Sequence, residues 1–172
     1  MIKKSLRSLV LILPLLPSSV FSGWSVGGVY TFTFFEPEDS TLGEFNPTAL
    51  LIRGSYDLFR YVGFELRAGT GILDGERAVA GIEYSADIKT MYGGYMKLQL
   101  GGKDFNPYFL AGYTSMEIDV SGGTYSESFE DDSGSLGVGV EGSLSDNVYF
   151  NLEYVQYFTD VNGIGLGLVT RF

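Results

Sequence analysis

Apolar and polar residues alternate with a period of two along most of the chain after residue 23. That period is the signature of a strand whose two faces meet different environments. In 61–71, Val62, Phe64, Leu66 and Ala68 take one face, and Gly63, Glu65, Arg67 and Gly69 the other. In 147–157, Val148, Phe150, Leu152 and Tyr154 oppose Tyr149, Asn151 and Glu153. In the last segment Ile164, Leu166, Leu168 and Phe172 oppose Gly163, Gly165, Gly167 and Arg171. The same reading predicts eight strands, near 24–34, 47–57, 61–71, 86–99, 107–117, 134–144, 147–158 and 163–172. The run Tyr108–Ala111 is apolar on both faces, so alternation alone leaves its register open.

Most of these segments have the roughly 9–11 residues that a tilted membrane strand needs, and none supplies the roughly 18 apolar residues of a spanning helix. Long connections are expected at 35–46, 72–85 and 118–133. Short ones are expected at Leu58–Arg60, Leu100–Asn106 and Ser145–Asp146, with a short fourth outer turn at Asp160–Asn162. Alternating long and short connections fit an antiparallel, up-and-down transmembrane barrel with both termini periplasmic. On that orientation Trp24, Phe59, Tyr61, Phe105, Tyr108, Tyr149 and Phe172 gather near one rim as an interfacial girdle.

The charge-bearing face carries Arg53, Asp57, Glu65, Arg67, Lys97, Glu141, Glu153 and Arg171. On a soluble barrel these would be surface charges. The opposing face is rich in large apolar and aromatic groups, however, and the charged face is rich in glycine. A membrane barrel, apolar outward and charged inward, accounts for both. Eight strands enclose an interior that side chains just fill. The eight charges are therefore expected to form an interior salt-bridge network that plugs the lumen, since buried ions are tolerable only when paired.

The N-terminus adds a targeting segment. Lys3, Lys4 and Arg7 precede the apolar run Leu9–Leu16, and Val20 and Ser22 suit a signal-peptidase site before Gly23. The expected domains are a signal peptide, 1–22, and a barrel, 23–172. Removing that segment takes away three of 11 basic residues and leaves 8 against 21 acidic ones, a net charge of −13. Such a balance excludes nucleic acid as a partner, because phosphate contacts need Lys/Arg patches.

Candidate chemistry is sparse. The chain has no cysteine and no histidine, so disulfides, thiolate metal sites and the commonest general base are absent. Gly137–Gly142 matches G-x-G-x-x-G, but it sits in an alternating strand followed by another strand, where no helix N-terminus is available for a phosphate. Glu36, Glu38, Asp39, Glu44, Asp74, Glu76, Glu83, Asp87, Glu117, Asp119, Glu127, Glu130, Asp131 and Asp132 make the outer connections acidic. They read first as a solvated, repulsive surface and second as ligands for divalent cations that bridge to lipopolysaccharide phosphates. Ser126 and Ser128 have carboxylates nearby but no base suited to activate them. No cofactor and no enzyme activity are expected.

The C-terminal stretch Gly165-Leu166-Gly167-Leu168-Val169-Thr170-Arg171-Phe172 resembles the assembly signal of bacterial outer-membrane proteins, with Leu166, Leu168 and Phe172 as its apolar members. Gly93-Gly94-Tyr95 and Pro107–Tyr113 resemble strand phrases of the outer-membrane protein β-barrel domain family, of the OmpA-transmembrane-domain and OmpX/Ail type. The resemblance covers about 23–172. It implies outer-membrane lipid and lipopolysaccharide as surroundings, the barrel-assembly machinery as a biogenesis partner, and a host or surface ligand for the outer loops. The targeting segment and the terminal Phe172 imply a double-membrane bacterium as the source. Three functions remain open: a closed structural or surface-interaction barrel, a small-solute pore, and a soluble periplasmic ligand-binding barrel.

Overall fold

A computed structural model describes residues 23–35, 43–79, 81–102, 104–123 and 125–172. The expected signal peptide lies outside the described residues, as do Glu36, Glu38 and Asp39. Among the described residues there are nine strands: β1 (Trp24–Phe35), β2 (Thr48–Phe59), β3 (Val62–Leu73), β4 (Gly75–Val79), β5 (Ile82–Gln99), β6 (Phe105–Gly122), β7 (Tyr125–Ser143), β8 (Val148–Phe158) and β9 (Val161–Arg171). All pairings are antiparallel between neighbours in sequence, except that β1 also pairs β9 and β3 also pairs β5. Those two pairings close the eight long strands into a barrel and remove the free edges that an open sheet would expose. β4 is an addition that pairs only with the first residues of β5, Val79 opposite Ile82 and Gly75 opposite Ala86.

Two of the predicted outer loops are in fact β-structure. The segment 72–85 holds the end of β3, all of β4 and the start of β5, turning at Gly81, whose φ of 82° is easily adopted only by glycine. The segment 118–133 is a two-stranded ribbon in which β6 runs on to Gly122 and β7 starts at Tyr125, with Gly123 at φ 59° in the turn. The ribbon's register is unbroken from Gly122↔Tyr125 down to Phe105↔Gly142. A strand ends where backbone pairing ends, and pairing continues past the point at which outward residues turn acidic. β5 follows the same ribbon, with a register shift between Ile88 and Thr90. The first connection begins with Phe35 bridging to Phe45, through a Phe35 N–H to Phe45 carbonyl bond of 2.9 Å and its reciprocal of 2.8 Å.

The apolar set faces out. Ile52, Leu66, Met96, Leu136, Leu152 and Leu168 are all exposed on the outer wall. This is the reverse of the orientation that a soluble ligand-binding barrel requires. At the rim carrying both termini, Trp24, Phe59, Tyr61, Phe105 and Phe172 point outward. Tyr108 and Tyr149 do not belong to that girdle: they are 1 % and 6 % exposed and point into the lumen. Inward positions on β6 and β8 are those with even and odd numbers respectively, so the register left open at 108–111 places Tyr108 and Leu110 inside, and Phe109 and Ala111 outside.

A second aromatic belt lies further along the wall. Tyr92, Tyr113 and Tyr154 stand where the outward residues change from apolar to polar, two positions from Thr90, Ser115 and Gln156 respectively on their strands. The Tyr154 hydroxyl donates to Asn162 Oδ1 at 3.0 Å, and the Tyr113 hydroxyl donates to the Asp132 carboxylate. Such rings, with an apolar body and a hydrogen-bonded tip, suit a membrane–water interface.

Candidate functional site: the filled lumen

The lumen has two layers of different chemistry. In the half nearer the termini, Arg53 from β2 reaches Glu65 of β3 at 2.6 Å and Glu141 of β7 at 2.9 Å. Arg67, also on β3, donates from Nε to Glu65 at 2.7 Å and from Nη2 to Glu153 of β8 at 2.8 Å, with a second contact from Nη1 to the same carboxylate. That bidentate fork is the strongest geometry available to an Arg–carboxylate pair. Lys97 of β5 contacts Glu141, and Arg171 of β9 reaches the other oxygen of Glu141 at 2.5 Å. Glu141 thus collects three cations from three different strands.

Every charge predicted for the lumen joins this cluster except Asp57. Its carboxylate accepts instead from Gln99 Nε2 at 2.6 Å, and Gln99 in turn accepts from Asn106 Nδ2 at 2.7 Å. Asp57 is half-buried near the rim and belongs to a separate polar chain.

Neutral groups complete the first layer, and no sequence pattern singled them out. Ser55 donates to Glu65 at 2.9 Å, and the Tyr108 hydroxyl donates to Glu153 at 2.8 Å. Lys97 lies 4.3 Å from the centroid of the Tyr108 ring, Arg67 lies 5.0 Å from that of Tyr95, and Arg171 lies 4.3 Å from that of Tyr149. Ring faces attract cations, so the inward tyrosines act as additional counter-groups. Their signal was present in the sequence as aromatic residues in phase with the charges.

Glycine makes the space. A Cβ on Gly139 would lie 2.4 Å from Tyr108 Cζ, one on Gly163 would lie 2.8 Å from Tyr157 Cε2, and one on Gly165 would lie 2.9 Å from Glu153 Cγ. Tyr108, Tyr157 and Glu153 each lie across a bare stretch of the neighbouring strand. The glycine-rich face and the charged face are therefore one design: a narrow barrel admits long side chains only where the facing wall has none.

The second layer, toward the far rim, is apolar. Phe45, Ile88, Met91, Met116, Ile118 and Val120 are buried together with Tyr157 and Phe158. A hydroxyl chain separates the layers on one side: Tyr95 bonds Thr114 at 2.6 Å, Thr114 bonds Ser135 at 2.7 Å, and Ser135 donates to the Tyr157 carbonyl at 3.1 Å.

The other sequence candidates are dispersed. Leu166 and Leu168 face outward on β9, and Phe172 ends the chain, its N–H bonded to the Trp24 carbonyl at 2.9 Å. The glycines 137–142 lie within β7, which no helix follows. Glu117, Asp119, Glu127, Glu130, Asp131 and Asp132 sit on the β6–β7 ribbon, and Ser126 and Ser128 share its exposed stretch. Among the described residues, no group of three or more carboxylates is arranged to hold a metal ion.

Comparison with known proteins places this geometry. Ail, the attachment invasion locus protein of Yersinia pestis, superposes with a TM-score of 0.62 at 17 % identity, covering 89 % of this chain and 100 % of that one. OprG of Pseudomonas aeruginosa gives 0.59 at 14 %, covering 88 % and 95 %. Neisserial surface protein A gives 0.57 at 12 %, covering 87 % and 95 %. At these identities the likeness is one of fold. A search of curated proteins finds no match. Residues 8–172 match the outer membrane protein beta-barrel domain, and the chain belongs to that family of outer-membrane barrels.

Proposed function

We propose that this protein is a closed, non-enzymatic outer-membrane barrel that serves as an envelope scaffold and presents a rigid acidic ribbon to the outside. The observation that carries the reading is the double seal. The ion cluster, with Arg53 and Glu65 wholly buried, fills one half of the lumen, and the apolar layer around Ile88, Met116 and Phe45 fills the other. An ion crossing the barrel would have to displace paired charges and then enter a largely apolar layer; each step is costly. The small-solute pore reading requires a continuous water path, and neither layer favours one. Planar-bilayer recording of the refolded barrel tests this. The expected trace is silent. Discrete, reproducible conductance steps would make the pore reading the better one.

On this reading residues 1–22 are a signal peptide removed before Gly23, both termini face the periplasm, and Phe172 with Leu166 and Leu168 is read by the barrel-assembly machinery. The β5–β6–β7 extension then projects outward. Ail has been crystallised with a heparin analogue, sucrose octasulfate. Here Glu117, Asp119, Glu127, Glu130, Asp131 and Asp132 line the projecting ribbon, and their combined field repels polyanions. The surface therefore suits a neutral or cationic partner. Titration of sucrose octasulfate at low salt should give no binding heat. A saturable heat would show that the acidic ribbon does not govern ligand choice.

A further inference from the structure

Beyond the barrel rim, β7 has an open edge. It pairs β6 from Tyr125 to Gly142 but meets β8 only from Leu136 onward. β8 stops at Phe158, so among the described residues no strand pairs with the other side of 125–135. The direction of each backbone group follows from the far end of the ladder. The Ser143 N–H donates to the Asp104 carbonyl on the β6 side at 2.9 Å, and the Leu144 N–H donates to the Val148 carbonyl of β8 at 2.8 Å. Odd-numbered residues of β7 therefore turn their N–H and C=O groups to β6, and even-numbered ones turn theirs away. The β6–β7 register has no shift, so the same rule reaches the tip. Ser126, Ser128, Glu130, Asp132 and Gly134 thus present backbone groups to the open side. The Asp132 N–H is capped there, donating to the Asp131 carboxylate at 2.8 Å. Ser126, Ser128 and Glu130 form a row of donors and acceptors that one further strand would complete.

The side chains decide which strand that can be. Residues 126–132 are all exposed. One face carries Ser126, Ser128, Glu130 and Asp132, and the other carries Glu127, Phe129 and Asp131. Phe129 stands opposite the buried Ile118 yet is itself 38 % exposed, because no strand flanks it on the open side. Open edges invite pairing, and charge is one device that limits it. Here the limit is selective. A second copy of β7 would set Glu130, Asp131 and Asp132 against their like, whereas a basic strand would meet counter-charges. We propose that the edge at Ser126, Ser128 and Glu130 is a docking site for an extended basic peptide segment, which adds as a further antiparallel strand. Basic residues face Glu127, Glu130, Asp131 and Asp132, and an apolar residue covers Phe129. Main-chain bonds supply the affinity, and this side-chain pattern supplies the selectivity. The site rests on the outward, acidic ribbon proposed above and adds the form that its cationic partner takes. Glu130 and Ser126 stand roughly 13 and 26 Å along the strand from Gly134, the residue paired with Tyr113 of the aromatic belt.

The test is fluorescence anisotropy on the refolded mature chain in detergent, at low and at physiological salt. The probe is a dye-labelled peptide, Lys-Lys-Lys-Val-Thr-Lys-Thr, written to run antiparallel to residues 126–132. Saturable binding is expected. A copy N-methylated on its third, fifth and seventh residues keeps every charge but loses the N–H groups that face β7. It should bind roughly tenfold more weakly, the effect of losing one or two net hydrogen bonds. Ser128→Pro removes an N–H that points to the open edge rather than to β6, a position at which a strand tolerates proline. It should weaken binding as much, and Ser126→Pro is a second such variant should the first fold poorly. Glu130→Gln combined with Asp131→Asn should weaken binding and flatten its dependence on salt. Undiminished binding of the N-methylated peptide, or of the parent peptide to a folded Ser128→Pro barrel, overturns strand addition while leaving the acidic ribbon as a cation-binding surface. No binding of either peptide at low salt overturns both readings. A dimer that Ser128→Pro dissolves would overturn the proposal in favour of a second copy of the chain.

Discussion

Arg67→Ala should lower the stability of the barrel by about 3–5 kcal/mol, the usual cost of removing one partner of a buried ion pair. Arg67 is the sole bidentate partner of Glu153 among the described contacts, and it also binds Glu65. Without it Glu65 keeps Arg53 and Ser55. Glu153 keeps the Tyr108 hydroxyl and the Asn151 amide, while Arg53 Nη1 stands 3.9 Å away. Neutral donors do not replace a guanidinium for a fully buried carboxylate. The measurement is the urea midpoint of the barrel in lipid vesicles, followed by the heat-dependent gel shift. An unchanged midpoint would mean that water enters the lumen and solvates Glu153, which would undermine the sealed-barrel reading too. The double variant Arg67→Met, Glu153→Leu should recover much of the loss, since replacing a buried pair with apolar groups is often nearly neutral.

Gly139→Ala should destabilise by about 1–3 kcal/mol, through overpacking rather than lost charge. The new methyl would stand 2.4 Å from Tyr108 Cζ and 2.5 Å from its hydroxyl oxygen. The ring cannot retreat freely, because it is buried, lies against Lys97 and donates to Glu153. One added carbon therefore disturbs three strands. Gly54→Ala is the matched control, an outward glycine with open space, and should shift the urea midpoint little. If both alanine variants behaved alike, the glycines of the inner face would not be there to make room for its large side chains.

Much of this fold was readable from the sequence. Alternation at period two is local information, carried by each strand alone, and it assigned Glu65 and Arg67 to the face opposite Phe64 and Leu66. The excess of glycine on the charged face then favoured a membrane barrel over a soluble one, and the outward apolar set seen in the structure decided between them. The eight-stranded closed architecture followed, and the structure and family bear it out.

Other features were not readable, for reasons that differ. The acidic stretches 72–85 and 118–133 look like loops to any reading that ends a strand where its apolar face ends. They are strands because β5, β6 and β7 continue to pair one another beyond the apolar band. Tyr108 looked like a girdle residue because the run 108–111 is apolar on both faces, and register, set by the neighbours, turned it inward; Tyr149 already shared the phase of Asn151 and Glu153, and its place near the rim alone suggested the girdle. Asp57 shares the inward phase of Arg53, yet strand stagger sets it beside Gln99 instead of the cations. The apolar inner layer combines Phe45, from the first connection, with residues of the ribbon, and no single segment reveals that meeting.

The sequence by itself determined which face the strands turn to lipid, the run 108–111 excepted, and how many strands close the barrel, because both depend on spacing along one chain. Only the tertiary structure decided which charge pairs with which, which glycine yields to which ring, and where the lumen turns from ionic to apolar. Those outcomes depend on the stagger between strands, a property of the closed sheet that no strand carries alone.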